Sequence, residues 1–241
     1  VTIKTLWRGA LLGLLLFLAY TLQTLGLMGT TPSKNAFLTA IYCIMVPFLF
    51  WLVSKKRPDI YNCLAGVLCL MGIGLVSLRG DFTVGLGDGL TMLGGVMYAV
   101  HIVAVATVSR DEDPVLLTLV QFGAAAVLSW GFSLPLETFP ASIPMESWTG
   151  LIYLAVFATT AALLLQNVGQ KYTHPAAASI LLSLESVFGV IFSMIFYGEA
   201  LTARLVAGFL LIFFSVVVSE TKLKFLFKPV QEQKSRSLQQ G

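Results

Sequence analysis

The chain has 241 residues, of which 57% are hydrophobic and only 11% are charged, and its formal net charge is +3. A soluble globular domain carries roughly 25% charged residues, so this composition excludes both a soluble enzyme and a disordered chain. With a mean hydropathy of +0.86, the sequence is that of a membrane protein. Its small positive charge does not indicate a nucleic-acid partner.

Eight apolar runs are long enough, at about 20 residues, to cross a bilayer as α-helices. They lie near residues 8–28, 35–54, 60–78, 86–109, 114–135, 148–170, 175–197 and 202–220. The predicted fold class is therefore all-α, a polytopic bundle of membrane helices. The first run has no small-residue cleavage pattern, so it is predicted to be a spanning helix rather than a signal peptide.

The basic residues fall mostly on one side of the predicted bundle. Eight crossings place both ends of the chain on the same side, and that side holds 12 of the 15 lysines and arginines. The other side holds only Lys34, Arg79 and Arg204. Because basic loops stay in the cytoplasm, both termini are expected there, in a multi-pass protein of the plasma (inner) membrane. The basic tail, residues 221–241, is expected to be cytoplasmic.

An internal repeat relates the segments LQTLGLMGTTP, residues 22–32, and LQNVGQKYTHP, residues 165–175. The two segments are 143 positions apart and share Leu, Gln, Gly, Thr and Pro at equivalent positions. Five crossings, an odd number, separate them, so the copies are inverted in the membrane, as in many secondary transporters.

The repeat predicts the domain organisation. Residues 79–220 form a unit of five helices, and residues 1–78 hold the counterparts of its last three. We therefore expect the first unit to be incomplete, with two helices absent at an N-terminus that starts at Val1 rather than Met. The alternative is a natural eight-helix chain.

Four stretches carry a family resemblance: TTPSKNAFLTAIYCIMVPFLFWLVSKKRP, GVLCLMGIGLVSL, GDGLTMLGGVMYAVHIVAV and LLLQNVGQKYTHPAAASILLSLESVFGVIFSMIFYGEALTARLVAGFLLI. In this order they resemble the EamA family of the drug/metabolite transporter superfamily. The resemblance implies a ten-helix carrier of two inverted five-helix repeats, often an exporter of amino acids, related metabolites or toxic compounds.

This chain departs from the family pattern at two places. Where the family often has Leu-Glu-Pro, the sequence has Leu184-Glu185-Ser186, which removes a kink and leaves the local helix shape open. Lys55-Lys56 stands where the repeat mate has Gly198-Glu199, so the two halves are not expected to be functionally equivalent.

Glu185 is the sharpest functional candidate, because the aspartates and the other glutamates lie at helix ends or in loops. A charge at mid-membrane costs about 2.5–3.5 kcal/mol on insertion scales, so the side chain should face the bundle interior or a wet cavity. Desolvation favours the protonated carboxyl, which could then bind and release protons near neutral pH. A neutral Glu185 that holds the repeats in register and a Glu185 that binds a substrate ammonium group are the alternatives.

Three aromatic or imidazole side chains are further candidates for substrate binding or coupling. His101 could share a proton with Glu185 or bind an anion, or it could be a neutral imidazole bonded within the bundle. Tyr98 lies three residues before His101. Tyr42 is the repeat partner of Glu185, so its hydroxyl is expected to line the same cavity.

Gln23, Gln121 and Gln166 carry amides within or near the ends of apolar runs. These amides could orient a polar substrate, or they could hold helices together by interhelical hydrogen bonds. Small residues at Gly9-xxx-Gly13 and Gly85-xxx-Gly89 are packing signals that permit a close approach of helices.

Enzyme activity is not predicted, because the chain lacks H-E-x-x-H, G-x-S-x-G and a second acid within the membrane. Its three cysteines fall in apolar runs and indicate neither a disulfide framework nor a metal site, so no cofactor is expected.

The predicted function is a secondary transporter in the lipid bilayer that exports a small-molecule substrate, amino-acid-like or drug-like, by alternating access. Coupling to protons and assembly into a homodimer stay open. The alternatives are a membrane channel and a structural or assembly protein that transports nothing.

Overall fold

The structure is a computed structural model that describes residues 2–30, 32–77, 85–138, 142–185, 188, 195 and 202–222. Every regular element in these ranges is helical. The α-helices are α1 (Ile3–Leu27), α2 (Pro32–Thr39), α3 (Tyr42–Ser54), α4 (Ile60–Ser77), α5 (Leu86–Val108), α6 (Pro114–Leu136), α7 (Met145–Tyr153), α8 (Ala162–Tyr172), α9 (Pro175–Leu182) and α10 (Ala203–Thr221). A π-helical segment, Leu154–Ala161, joins α7 to α8.

Five helical segments in the described ranges are long and apolar enough to cross a membrane: Ile3–Leu27, Asn35–Ser54, Leu86–Val108, Pro114–Leu136 and Met145–Tyr172. Ile60–Leu75 and Ala203–Ser219 are shorter apolar helices. The prediction of an all-helical membrane bundle is confirmed for the described residues.

The helix boundaries follow the charged and capping residues. α1 begins earlier than its predicted start at residue 8, because Thr2 caps it and its hydroxyl accepts from the Thr5 N–H at 3.2 Å. At α6 the Asp113 carboxylate accepts from the Val115 N–H at 2.8 Å, and Pro114 occupies the first turn.

The predicted helix over residues 35–54 is interrupted by a turn, which corrects the expectation of one continuous helix. α2 ends at Thr39 and α3 begins at Tyr42. Pro47, inside α3, has no N–H to donate to the Cys43 carbonyl, which weakens the helix here. The residues next to the turn on both sides, such as Phe37, Leu38 and Ile44, are apolar, so an apolar pattern alone did not reveal it.

α9 repeats this arrangement. Both α2 and α9 begin with proline and have eight residues, and α9 is followed by a two-residue turn before the chain is helical again at Glu185. The Ser183 hydroxyl donates to the Ile180 carbonyl at 2.5 Å, a local bond that competes with the helical pattern. The interruption is present although residue 186 is serine rather than proline.

The bundle packs closely at three pairs of helices. α1 lies against α5 and α6, and α4 lies against α10. A Cβ atom added at Gly13 would lie 2.5 Å from the Gln121 carbonyl oxygen, so the close approach predicted for Gly9 and Gly13 is confirmed. A Cβ atom at Gly89 would meet nothing within 4 Å, so the second small-residue pattern is not a packing contact at that position.

Gly13→Ala is expected to destabilise the protein by about 1–3 kcal/mol, because the new methyl group would overlap backbone that cannot move cheaply. Gly123→Ala is the matched control, since nothing lies within 4 Å of its added Cβ atom. We expect the control to be neutral or to gain up to about 1 kcal/mol from helix propensity. Thermal unfolding of both variants in detergent tests this, and equal melting temperatures would contradict the packing of α1 on α6.

Basic residues from distant parts of the sequence meet at one end of the bundle. Arg8 Nη1 lies 2.8 Å from Glu112 Oε1, and the Thr5 hydroxyl donates to Glu112 Oε2 at 2.7 Å. Lys171 donates to the Glu112 carbonyl oxygen at 2.9 Å. The Thr5 hydroxyl and the Arg8 guanidinium hold the pKa of the Glu112 carboxyl below its usual value. The start of α1, the α5–α6 loop and the end of α8 are thereby joined.

A second ion pair joins the α3–α4 loop to the end of α10. Lys222 Nζ lies 2.6 Å from Asp59 Oδ2, and Asp59 Oδ1 accepts from the Tyr61 N–H at 3.0 Å. Partial burial raises the pKa of the Asp59 carboxyl, but the bonds from Lys222 and Tyr61 outweigh it and the pKa lies below its usual value.

Asp59→Asn is expected to lower the melting temperature at pH 7 and to lose this deficit in acid. A lowered carboxyl pKa stabilises the fold above the unfolded-state pKa, about 3.9 for aspartate, and this stabilisation is lost as the pH falls through the folded-state value. The melting temperatures of wild type and variant should therefore converge below about pH 4. A difference that stayed constant down to pH 3 would contradict the ion pair's role.

Some predicted features lie outside the described residues. These are the loop at 78–84 with Arg79, most of the predicted helix 175–197 beyond Glu185, the Gly198-Glu199 pair and the tail beyond residue 222.

Candidate functional site

A cavity of about 620 Å³ lies among α1, α2, α3, α5, α8, the π-helical segment and the end of α9. Its lining residues are Tyr20, Gln23, Thr39, Tyr42, Tyr98, Ile102, Ala158, Ala162, Leu163, Gln166, Leu182 and Glu185. Five of the seven residues predicted from the sequence, Gln23, Tyr42, Tyr98, Gln166 and Glu185, are therefore brought together here.

Glu185 and Tyr42 occupy equivalent positions at this cavity. Each is the first helical residue after one of the two interruptions. The Glu185 side chain is exposed, and the cavity is the space that it faces. Among the described residues, none donates a hydrogen bond to its carboxyl group or pairs with it. No contact with another described residue has to break before the carboxyl group interacts with a solute or a proton.

A hydrogen-bond network orients the Gln23 amide at the cavity wall. The Tyr98 hydroxyl donates to Gln23 Oε1 at 2.8 Å, and Gln23 Nε2 lies 3.4 Å from the Thr39 hydroxyl. Asn35, buried behind the wall, donates to the Thr91 hydroxyl at 2.8 Å and to the Gln23 carbonyl oxygen at 3.2 Å. Gln23 thus joins helices and also presents its amide to the cavity, so both sequence interpretations of this residue fit the geometry.

Helical periodicity could have found several lining residues that were not predicted. Tyr20 lies one turn before Gln23 on α1, and its ring packs edge-on against Tyr98 with centroids 5.8 Å apart. Ala158 and Ala162 precede Gln166 at successive intervals of four residues. Side chains at this spacing share a helix face. The small alanine side chains, one of them in the π-helical segment, leave room for the cavity at this wall.

His101 and Gln121 do not line the cavity but form a second, fully buried polar cluster. His101 Nε2 lies 3.3 Å from Gln121 Oε1, and the Asn167 amide donates to the Thr118 hydroxyl at 2.8 Å and lies 3.5 Å from Gln121 Oε1. The structure therefore pairs His101 with Gln121 and not with Glu185. The cluster adjoins the cavity wall, because His101 and Asn167 are the sequence neighbours of the lining residues Ile102 and Gln166.

This cluster carries polar atoms that the described residues leave unpaired. They are His101 Nδ1, Gln121 Nε2, Asn167 Oδ1 and, one turn further along α8, both side-chain polar atoms of Gln170. Each such buried group costs about 1–3 kcal/mol. Buried polar groups without a protein partner are commonly satisfied by ordered water or belong to functional sites, so the cluster is a candidate for function.

Within the described ranges, no group of three His, Cys, Asp or Glu side chains is placed to hold a metal ion. The cysteines are free. Cys69 Sγ lies 2.8 Å from the Ser183 hydroxyl and Cys43 Sγ lies 3.4 Å from the Ser179 carbonyl oxygen, so both are packed beside the interruption in the α9 run.

Apolar helices around a cavity with a polar wall are the architecture of a multi-pass membrane transporter. The chain belongs to the EamA-like transporter family, which matches residues 85–221 and confirms the resemblance seen in the sequence. It is 34% identical over 210 residues to an uncharacterized transporter of Archaeoglobus fulgidus, covering 87% of this chain and 67% of that protein. A crystal structure of another protein superposes with a TM-score of 0.75 over 92% of this chain and 87% of that one; at 15% identity, this likeness shows the fold alone.

Proposed function

We propose that the protein is a secondary carrier that exports small metabolites, amino-acid-like or drug-like, across the plasma membrane by alternating access. The observation that carries this proposal is the position of Glu185 in a cavity of about 620 Å³, next to the two interrupted helical runs. Ligand pockets in proteins have volumes of roughly 300–1,000 Å³. Secondary transporters commonly bind solutes at discontinuous helices near the middle of the membrane.

The matched interruptions support two inverted repeats as the architecture. Pro32 and Pro175 begin helices of equal length, and the turns after Thr39 and Leu182 are also 143 positions apart. We propose eight spanning helices in this chain: three in residues 1–78, five in residues 79–220, and a cytoplasmic tail at 221–241. The shared contacts of Arg8 and Lys171 with Glu112 support one side of the membrane for the start of α1, the α5–α6 loop and the end of α8.

The chemistry of the cavity favours a solute with an ammonium group and an apolar portion. Its polar groups are one carboxyl group, two amides, the Thr39 hydroxyl and three tyrosine hydroxyls, and neither lysine nor arginine is among the described residues that line it. A carboxylate to which no described residue is bonded can pair with a cation, and charge-assisted hydrogen bonds of this kind are among the strong ones. Ile102, Leu163 and Leu182 supply apolar contact.

Protons are the proposed coupling ion. Glu185 can hold a proton when no solute is bound, and the cluster of His101, Gln121 and Asn167 lies between the cavity and the bundle end that carries Glu112. Unpaired polar atoms along this path can hold water, which conducts protons.

The test is metabolite efflux from cells that overproduce the full-length protein, followed by flux in reconstituted vesicles. A carrier gives substrate-dependent flux that saturates with concentration. An ion current that does not saturate would instead indicate a channel. An absence of flux for every metabolite tested would indicate a structural or assembly role.

A further inference from the structure

A second cavity, of about 470 Å³, opens at the ends of several helices and shares no lining residue with the first. Its lining residues are Pro47, Phe50, Lys56, Arg57, Pro58, Asp59, Asn62, Tyr172, Thr173, His174, Ala176, Ala177, Ser219 and Lys222. They come from α3, the α3–α4 loop, the start of α4, the end of α8, the α8–α9 loop, the start of α9 and the end of α10. In a membrane these helix ends lie at the level of the lipid head groups.

The cavity has an excess of positive charge. Lys56, Arg57 and Lys222 line it, and Asp59 is the one acid among its described lining residues. Because Asp59 is paired with Lys222 at 2.6 Å, the charges of Lys56 and Arg57 are left without a counterion in the wall. Lys55, in the left-handed conformation with φ of 58°, ends α3 and redirects the chain into this segment.

Neutral hydrogen-bonding groups and apolar groups complete the cavity. His174 Nδ1 accepts from the Ala176 N–H at 3.4 Å, which leaves the proton of the neutral ring on Nε2 as a donor. Burial and the positive charges of Lys222 and Arg110 lower the pKa of His174 more than the Asp59 carboxylate raises it, so the ring is neutral near pH 7 when no anion is bound. Phe50, whose ring packs edge-on against His174 with centroids 5.0 Å apart, and Pro47 form an apolar wall.

We propose that this cavity binds a phosphate group, with Lys56 and Arg57 as its principal charged ligands and His174 and Thr173 as neutral donors. Arginine and lysine with neighbouring neutral donors are the groups that bind phosphate oxygens in proteins. The phosphate can belong to an anionic phospholipid, whose head group lies at this depth and whose chain would meet Phe50, or to a soluble phosphate. This site is independent of the proposed transport function.

The experiment uses the full-length protein in lipid nanodiscs with or without phosphatidic acid, and native mass spectrometry counts the lipids that stay bound. Lys56→Gln is expected to reduce retention of phosphatidic acid about tenfold, the loss expected for one charge-assisted hydrogen bond. Lys55→Gln is the matched control: it removes the same charge one residue away, from a side chain that does not line the cavity. The control should retain the lipid as the wild type does.

A parallel arm measures the melting temperature in detergent with inorganic phosphate against chloride at equal ionic strength. Stabilisation by phosphate that is lost in Lys56→Gln but kept in Lys55→Gln supports the site with a soluble ligand as its source. If Lys56→Gln and Lys55→Gln changed lipid retention and phosphate stabilisation equally, the proposal would be overturned. Nonspecific electrostatic attraction to the basic segment would depend equally on both lysines. No response to either ligand would overturn it as well.

Discussion

Glu185→Gln is expected to reduce export by roughly 10–100-fold while leaving the amount of protein in the membrane unchanged. The amide keeps the shape of the side chain but cannot bind a proton or carry the charge that pairs with a substrate ammonium group. A charge-assisted hydrogen bond contributes about 1.5–3 kcal/mol, which corresponds to this loss in affinity. Folding should be unaffected, because none of the described residues depends on this carboxyl group as a hydrogen-bond partner.

Glu146→Gln is the control for this experiment, since Glu146 is exposed in the first turn of α7 and does not line the cavity. Two assays in vesicles separate the proposed roles of Glu185. If Glu185 couples protons, the variant still exchanges labelled for unlabelled solute but no longer responds to a pH gradient. If Glu185 binds the solute, exchange fails too. Export equal to wild type would make Glu185 a structural residue.

Substitutions in the buried cluster of His101, Gln121 and Asn167 are expected to give the second large effect. There, the change in stability and the change in transport should not follow each other. Gln121→Leu alone removes the Oε1 atom that lies 3.3 Å from His101 Nε2, so the imidazole loses a partner, at a cost of about 1–3 kcal/mol. The double variant His101→Leu/Gln121→Leu removes both polar groups and is expected to recover this stability or to exceed the wild type. Both variants should lower proton-driven export by about tenfold, because the path for protons is lost.

A double-mutant cycle completes the test: melting temperature and flux are measured on the same preparations of wild type, His101→Leu, Gln121→Leu and the double variant. Thr107→Val is a suitable control, since the bond that the Thr107 hydroxyl makes among the described residues stays within its own helix, to the Val103 carbonyl oxygen at 2.8 Å. Normal export by the double variant would show that the cluster serves packing alone.

Sequence patterns predicted the helical bundle well because hydropathy and boundary charges are local properties. The predicted runs 86–109 and 114–135 agree within a residue with α5 and α6. The turns after Thr39 and Leu182 escaped prediction because the side chains there are as apolar as those of a continuous helix. Prolines at 32 and 175 and serine at 183 were the available signals, and they are clear only when the two repeats are aligned.

Some residues of the candidate site were also predictable from the sequence, and others were not. Glu185 stood out because an acid is rare in an apolar run, and Tyr42 followed from the repeat offset. Ala158 and Ala162 carry no chemical signal of their own, and only their spacing from Gln166 places them at the cavity. The pairing of His101 with Gln121 depends on how α5 packs against α6, which no local pattern encodes.

The most direct measurement of the central claim is protection of the cavity by the exported compound. A cysteine introduced as Ala162→Cys, in a Cys63→Ser background because Cys43 and Cys69 are buried, is labelled with a water-soluble maleimide in reconstituted vesicles. We expect saturating exported compound to slow this labelling while leaving labelling of the exposed Ser147→Cys unchanged. Labelling of Ala162→Cys at the same rate with and without a compound that the protein exports would contradict the assignment of this cavity as the transport site.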